Sequence, residues 1–126
     1  MNSATMGPRN LSFVLHEGNG TISYEIVTIA AGSGRVSPGT VLGAITSNSK
    51  YVPSPAEVVT GQEGAETASA ILAYGANAID ADVEAVVLVR TAEVKQPMLL
   101  FHDTVNTPEL QAQKIAQLAK AHIIAR

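Results

Sequence analysis

Through most of this chain, apolar and polar positions follow the short period of strands, and one helical stretch stands near the end. Between Thr21 and Ala30, the apolar Ile22, Tyr24 and Ile26 alternate with polar neighbours before the sequence becomes continuously apolar. That pattern predicts a strand passing from an edge into a core, ended by Ala31-Gly32-Ser33-Gly34. Pro38-Gly39 predicts a reversal, because proline presets φ at the first corner and glycine accepts a positive φ at the second. Thr40, Val41, Leu42 and Ile45 then suit a pleated, half-buried surface. Gly43 interrupts them and reads as a bulge or a close backbone approach. Ser47-Asn48-Ser49 turns the chain into Lys50-Tyr51-Val52-Pro53, so a hairpin is predicted, and Pro53 and Pro55 confine its second strand to an edge or a strand end.

Val58-Val59-Thr60 leads into a loop at Gly61-Gln62-Glu63-Gly64. Thr67 to Tyr74 is ambiguous between a helix and a buried strand, and its shortness and the Gly75 stop favour the strand. Ala85 to Arg90 is the core strand, with four large aliphatics that need cover on both faces. Thr91 to Lys95 extends it, Gln96-Pro97 breaks it, and Met98 to Phe101 is a short apolar piece. Thr107 is placed as an N-cap, Pro108 at the first helical position and Glu109 in the first turn, which predicts a helix. The expected buried stripe is Ile115, Leu118, Ala119 and His122, with Gln113, Lys114, Gln117 and Lys120 facing out. Ile123-Ile124 returns as a brief terminal strand. The fold class is mainly β with one C-terminal α-helix: a single β-rich domain over residues 21–126, preceded by a flexible N-terminal arm at 1–20.

The arm is separated by its composition. It holds the apolar patch Leu11, Phe13, Val14 and Leu15, followed by the turn-forming Glu17-Gly18-Asn19-Gly20. Twenty extended residues reach about 65 Å, against a radius of gyration of about 14 Å for a compact domain of this size. Such an arm can leave its own domain and touch a neighbour. A frayed terminus fits the composition too, but the Leu11 to Leu15 patch favours a docking segment.

Of the 126 residues 46% are hydrophobic, enough for one core, and with two Phe, three Tyr and no Trp that core is aliphatic. Few large side chains are left to line a small-molecule pocket. A net charge of −3 leaves no electrostatic footprint for nucleic acid. Without cysteine there is no disulfide, zinc-thiolate site or thiol nucleophile. The sequence contains neither an apolar run long enough for a membrane span nor a signal-peptide pattern, and reads as a soluble protein made in a cytoplasm.

Candidate chemistry is sparse. Asp80, Asp82 and Glu84 would share one face of a strand and suit a hard cation, but further oxygen ligands are not evident, and a solvated loop explains them as well. His102-Asp103 has the makings of an oriented base without a nucleophile motif, and Gly32-Ser33-Gly34 lacks the lysine and helix of a phosphate loop. No catalytic residue, metal site or cofactor is expected.

A resemblance rests on the order of several segments. These are Thr28-Ile29-Ala30-Ala31-Gly32, Pro38 to Gly43, Lys50-Tyr51-Val52-Pro53, Glu63-Gly64, Ala70-Ile71-Leu72, Ala85 to Arg90, Ala92-Glu93-Val94 and the closing helix with Ile123 to Arg126. In that order and spacing the chain resembles the head decoration proteins of tailed bacteriophages, the lambda-type capsid-stabilising family, over about residues 21–126. The resemblance implies a small β-clip-like domain that forms homotrimers on the outer surface of the mature, expanded capsid. There it would sit at local three-fold positions and cement neighbouring major capsid proteins against the pressure of packaged DNA. The expected partners are the phage major capsid protein and copies of the chain itself, with no nucleic acid and no membrane. The arm would dock by strand addition through Leu11, Phe13, Val14 and Leu15, with Ile22 and Tyr24 on the joining strand. Tyr51, Pro53 and Pro55 are candidate subunit contacts on a presumed edge. Two alternatives stay open: a β-domain binding a carbohydrate or other surface ligand, and an enzyme subunit on the same scaffold that uses His102 or Asp103.

Overall fold

The computed structural model describes residues 13–17 and 23–126. Among these the chain is mainly β, with a single α-helix close to its C-terminal end. The strands are β1 (Val14–Glu17), β2 (Tyr24–Ile29), β3 (Gly34–Val36), β4 (Val41–Ala44), β5 (Tyr51–Pro53), β6 (Ala68–Leu72), β7 (Ala76–Ala78), β8 (Val83–Leu88), β9 (Ala92–Val94) and β10 (Ile123–Ala125). A 3₁₀ turn covers Gln96–Met98 and the helix, α1, covers Pro108–Lys120.

Five strands close a barrel in the order β2-β5-β4-β6-β8. Its longest seam is β2 against β8, six antiparallel pairs from Tyr24↔Leu88 to Ile29↔Val83. Its shortest is β2 against β5, a parallel contact at Ile29↔Tyr51. Beside the barrel lie a three-stranded sheet, β1-β9-β10, and a two-stranded ribbon, β3-β7.

The predicted turns form for the predicted reasons. Gly39 has φ +93°, and Thr40 N donates to Ser37 O across the Pro38-Gly39 corner. The β4–β5 hairpin turns at Ser47 to Ser49, where Asn48 Oδ1 accepts from Lys50 N. At Gly43 both readings hold. The β4–β6 register slips between Leu42 and Gly43, and a Cβ there would stand 2.0 Å from Ala65 O. The ambiguous stretch is strand β6, and Ile123 returns along β9 in parallel register.

Alternation on these strands gives the interior two main clusters, beside a smaller one of Ile45, Val52 and Ala65. Ile29, Leu42, Leu72, Ala85 and Val87 meet inside the barrel. On the opposite faces Val41, Ile71 and Leu88 pack outward against Val94, Leu118 and Ile123, and Phe13 belongs to this cluster. Phe13 is 1% exposed, so it acts as a core residue of the domain. The span read as an arm therefore includes a buried anchor and a paired strand, β1 on β9, while residues 1–12 and 18–22 lie outside the described residues.

Two expectations are corrected. β5 is not an edge, since it lies between β4 and β2. Pro53 is accommodated at its last position, beyond the one β2 contact, so its missing N–H interrupts no ladder on that side. Ile26 does not point into a core: it is 69% exposed, on the face opposite Val27 and Ile29, while Tyr24 and Thr28 on its own face are partly covered.

The helical stripe is also displaced. Thr107 caps α1, its Oγ1 accepting from Leu110 N, and Pro108 opens it as expected. The buried positions, however, are Lys114 and Leu118, while Ala119 and His122 are exposed. The helix stops at Lys120, and His122, with φ +64°, stands in the left-handed region beyond it, so the i+7 position falls outside the helix.

Candidate functional site

Lys114 defines the most constrained polar position of the described chain. The residue is 2% exposed, and its ammonium donates to Ser54 Oγ (3.0 Å), Pro55 O (2.6 Å) and Glu66 O, so all three donors are used. Ser54 Oγ in turn donates to Ala65 O (2.7 Å) and Gln117 Oε1 accepts from Ala68 N (2.7 Å). These bonds draw both stems of the 54–67 connection onto α1. Burial pulls the Lys114 ammonium below the usual lysine range, opposed by the nearby Glu66 carboxylate. The aliphatic stem of a lysine can lie along apolar surface when its head finds acceptors, which is why polarity alone misplaced it.

Held at its stems, this connection exposes Val58 (61%) and Val59 (39%) at its far end. With Pro55, Ala56, Thr104 and Leu110 they border a shallow cavity of about 360 Å³.

A larger cavity, about 390 Å³, opens between the β2–β3 connection, β5 and the 100–103 segment. Ser33, Arg35 and His102 are among the polar residues that line it, and Val36, Val52 and Phe101 among the apolar ones. Asp103 also borders the cavity, but it does not orient His102. His102 Nδ1 instead accepts from Thr104 N (3.1 Å) and lies 2.8 Å from Thr104 Oγ1, which also accepts from Ala56 N (2.9 Å).

The acidic triplet does not assemble. Asp82 pairs with Lys50 (2.6 Å) and accepts from Ala31 N (2.7 Å), and the Lys50 hydrogen bond chiefly holds its carboxyl below the usual range. Asp80 and Glu84 are exposed, and among the described residues no three His, Asp or Glu side chains are grouped to hold a metal ion.

The candidate docking residues fall in different environments. Leu11 and Ile22 lie outside the described residues. Phe13 is in the core, Val14 and Tyr24 are half-buried against the same cluster, and Leu15 lies on β1. In the sheet order β1-β9-β10, β1 is an edge strand among the described strands. Of the candidate subunit contacts, Tyr51 and Pro53 are half-buried and Pro55 is fully buried within its own chain.

The sequence reading missed Lys114, placed on the outward face, and Arg35, passed over as part of a strand connection. Arg35 was legible only as one of eight basic residues directly following a two-glycine loop.

Compared with known families, the chain matches the pattern of the family described as Bacteriophage lambda head decoration protein D over residues 3–123. No curated protein matches it.

Proposed function

The chain belongs to the bacteriophage lambda head decoration protein D family, and from that membership we propose that it is a structural, non-enzymatic protein of the virion that binds the outer surface of the phage capsid. The observation that carries this reading is the extent of the match, which spans β1 through the start of β10 and includes the segment before β1. On this reading the protein acts as a homotrimer at local three-fold positions of the expanded shell and cements neighbouring major capsid proteins against internal pressure.

The docking element is the segment that precedes Phe13, together with the outer edge of β1. Phe13, buried in the core, anchors the start of β1, and on this reading Leu11, Val14, Leu15, Ile22 and Tyr24 supply the capsid contacts. Ordering each backbone residue costs about 1–2 kcal/mol, and each hydrogen bond formed contributes a net 0.5–1.5 kcal/mol or so. Strand pairing alone therefore roughly breaks even. Burial of an apolar side chain such as Leu11 adds about 1.5–3 kcal/mol and decides the sign. Three arms on one trimer then act together, because the first to dock raises the effective concentration of the others.

The test is sedimentation of the purified protein with undecorated expanded capsids and, separately, with unexpanded procapsids of its phage. Wild-type protein is expected to pellet with the expanded shells alone. A deletion of residues 2–12 is expected to remain folded and stay in the supernatant. The cut must stop there, since removing Phe13 would empty a core site at a cost of about 3–5 kcal/mol. Undiminished pelleting of the truncated protein would overturn the docking role of the arm, and failure of the wild type to bind either shell would overturn the capsid-binding reading itself.

A further inference from the structure

Two exposed apolar surfaces of this domain carry opposite charge. The first is the groove of about 360 Å³ bordered by Val58 and Val59, whose lining holds Glu57 and no cation. Asp103 and Glu109 are exposed beside its lining residues Thr104 and Leu110, and segments 54–67 and 102–113 contain no Lys or Arg apart from this lining's one neighbour, Lys114, whose buried ammonium is spent on the loop carbonyls. The second surface is the outer edge of the β1-β9-β10 sheet, where Ile124 on β10 is 40% exposed. Val94 pairs with Ala125 and Gln96 N donates to Arg126 O, so Lys95 and Arg126 end the two strands side by side. Lys120 ends α1 just before β10. Glu93, bonded to Arg126, is the one carboxylate on β9 or β10, which leaves this edge a surplus of positive charge. Ala92 N donates to His122 O and Arg126 N to Val94 O, so the N–H groups of Ile123 and Ala125 point away from β9. Among the described residues no further strand pairs with β10.

We propose that the β10 edge of one copy docks in the Val58–Val59 groove of a second copy. Charge complementarity selects this occupant. Of the other exposed large apolar side chains, Ile79 lies beside Asp80, Ile26 beside the Glu25–Arg90 pair and Leu100 just before His102-Asp103, while Tyr74 has no charged neighbour in sequence. Ile124 alone joins exposed apolar surface to unanswered cations. The β-branched Val58, Val59 and Thr60 also suit pairing with an open strand edge. One copy cannot make this contact with itself, because α1 holds Leu110 at the groove and Lys120 at the edge about 15 Å apart. Each copy therefore offers a groove at one end of α1 and an edge at the other, a head-to-tail contact that closes into a ring. The β1 edge stays free for the capsid. The inference rests on the homotrimer reading and names the surfaces through which copies meet.

Sedimentation velocity of the full chain tests it. Wild type is expected near three times the 13.1 kDa chain mass. Val58→Asn and Ile124→Asn each put a neutral polar group on one side of the contact and leave the charges alone. Both side chains are exposed, so the melting temperature should hold. Each variant alone should shift to the monomer mass, with association weakened about tenfold or more per contact. Mixed, the two should form a one-to-one dimer, because the intact groove of Ile124→Asn receives the intact edge of Val58→Asn and nothing continues the ring. Raising salt from about 0.1 to 1 M, which shortens the screening length from about 10 to 3 Å, should weaken the wild-type assembly. If either variant stays trimeric, this surface is overturned and the homotrimer reading stands. If both are monomeric and the mixture is too, the head-to-tail pairing is overturned. Wild type at the monomer mass would overturn the homotrimer reading and the interface with it. An assembly unchanged or strengthened by salt would overturn the charge pairing that selects the β10 edge.

Discussion

Lys114 and Arg35 are two cations of one small domain in opposite situations. Lys114 is buried on α1 with three acceptors around it, and Arg35 stands at an open cavity with no ion pair among the described residues. Lys50, paired with Asp82 on the surface, stands between them. The difference follows from what the backbone needs at each place. Both stems of the 54–67 connection carry carbonyls into the interior, and a buried acceptor without a donor is costly. At Arg35 the ribbon β3-β7 already pairs the local backbone, so the side chain is not needed for folding. A cation that completes the fold is closed off, and one that adds nothing to it is available to a partner.

The contrast breaks most directly at Lys114. Lys114→Met keeps the aliphatic stem but strands the Pro55 and Glu66 carbonyls, at about 1–3 kcal/mol each. A loss near 4 kcal/mol is expected in urea unfolding; a change below about 1 kcal/mol would mean that water or a rearranged loop replaces the ammonium. Gly43→Ala attacks the same seam from the other side. Its Cβ would collide with Ala65 O, the carbonyl that accepts from Ser54 Oγ, so a loss of about 3 kcal/mol is expected from overpacking against backbone.

Asp82 offers the intermediate case, read through pH. Its pKa is lowered in the folded protein, so its contribution is present above the unfolded value of 3.8 and is lost as pH falls through the folded value. Asp82→Asn should therefore flatten the acid limb of the stability–pH curve and leave neutral-pH stability little changed, as expected for a surface pair. An unchanged acid limb would count against the Lys50 pairing. The smallest effect is assigned to Arg35→Glu, whose stability should stay within about 0.5 kcal/mol of wild type.

How far the sequence could be read follows the range of each interaction. The corner at Pro38-Gly39, the N-cap at Thr107, the hairpin at Ser47 to Ser49 and the bulge at Gly43 all rest on residues a few positions apart, and all are present. The stripe on α1 was misjudged because Ala112, Ile115, Ala116 and Ala119 distribute apolar surface around the helix, so periodicity favoured no single face. Ile26 was misjudged because alternation gives the period of a strand but not which face is covered. Of the candidate site, the sequence offered the Leu11 to Leu15 patch but could not separate Phe13, which the domain keeps for its own core, from its neighbours.

By itself the sequence determined where this chain turns, where its helix begins and that its interior is aliphatic, since φ preferences, capping and side-chain volume act locally. Tertiary structure alone decided that Lys114 is buried, that Phe13 anchors the start of β1 and that Arg35 meets Ser33 and His102 at one cavity. The acceptors of Lys114 lie 48 to 60 residues away along the chain. A lysine without them would remain in water, because a buried charge is tolerated only where its hydrogen bonds are met.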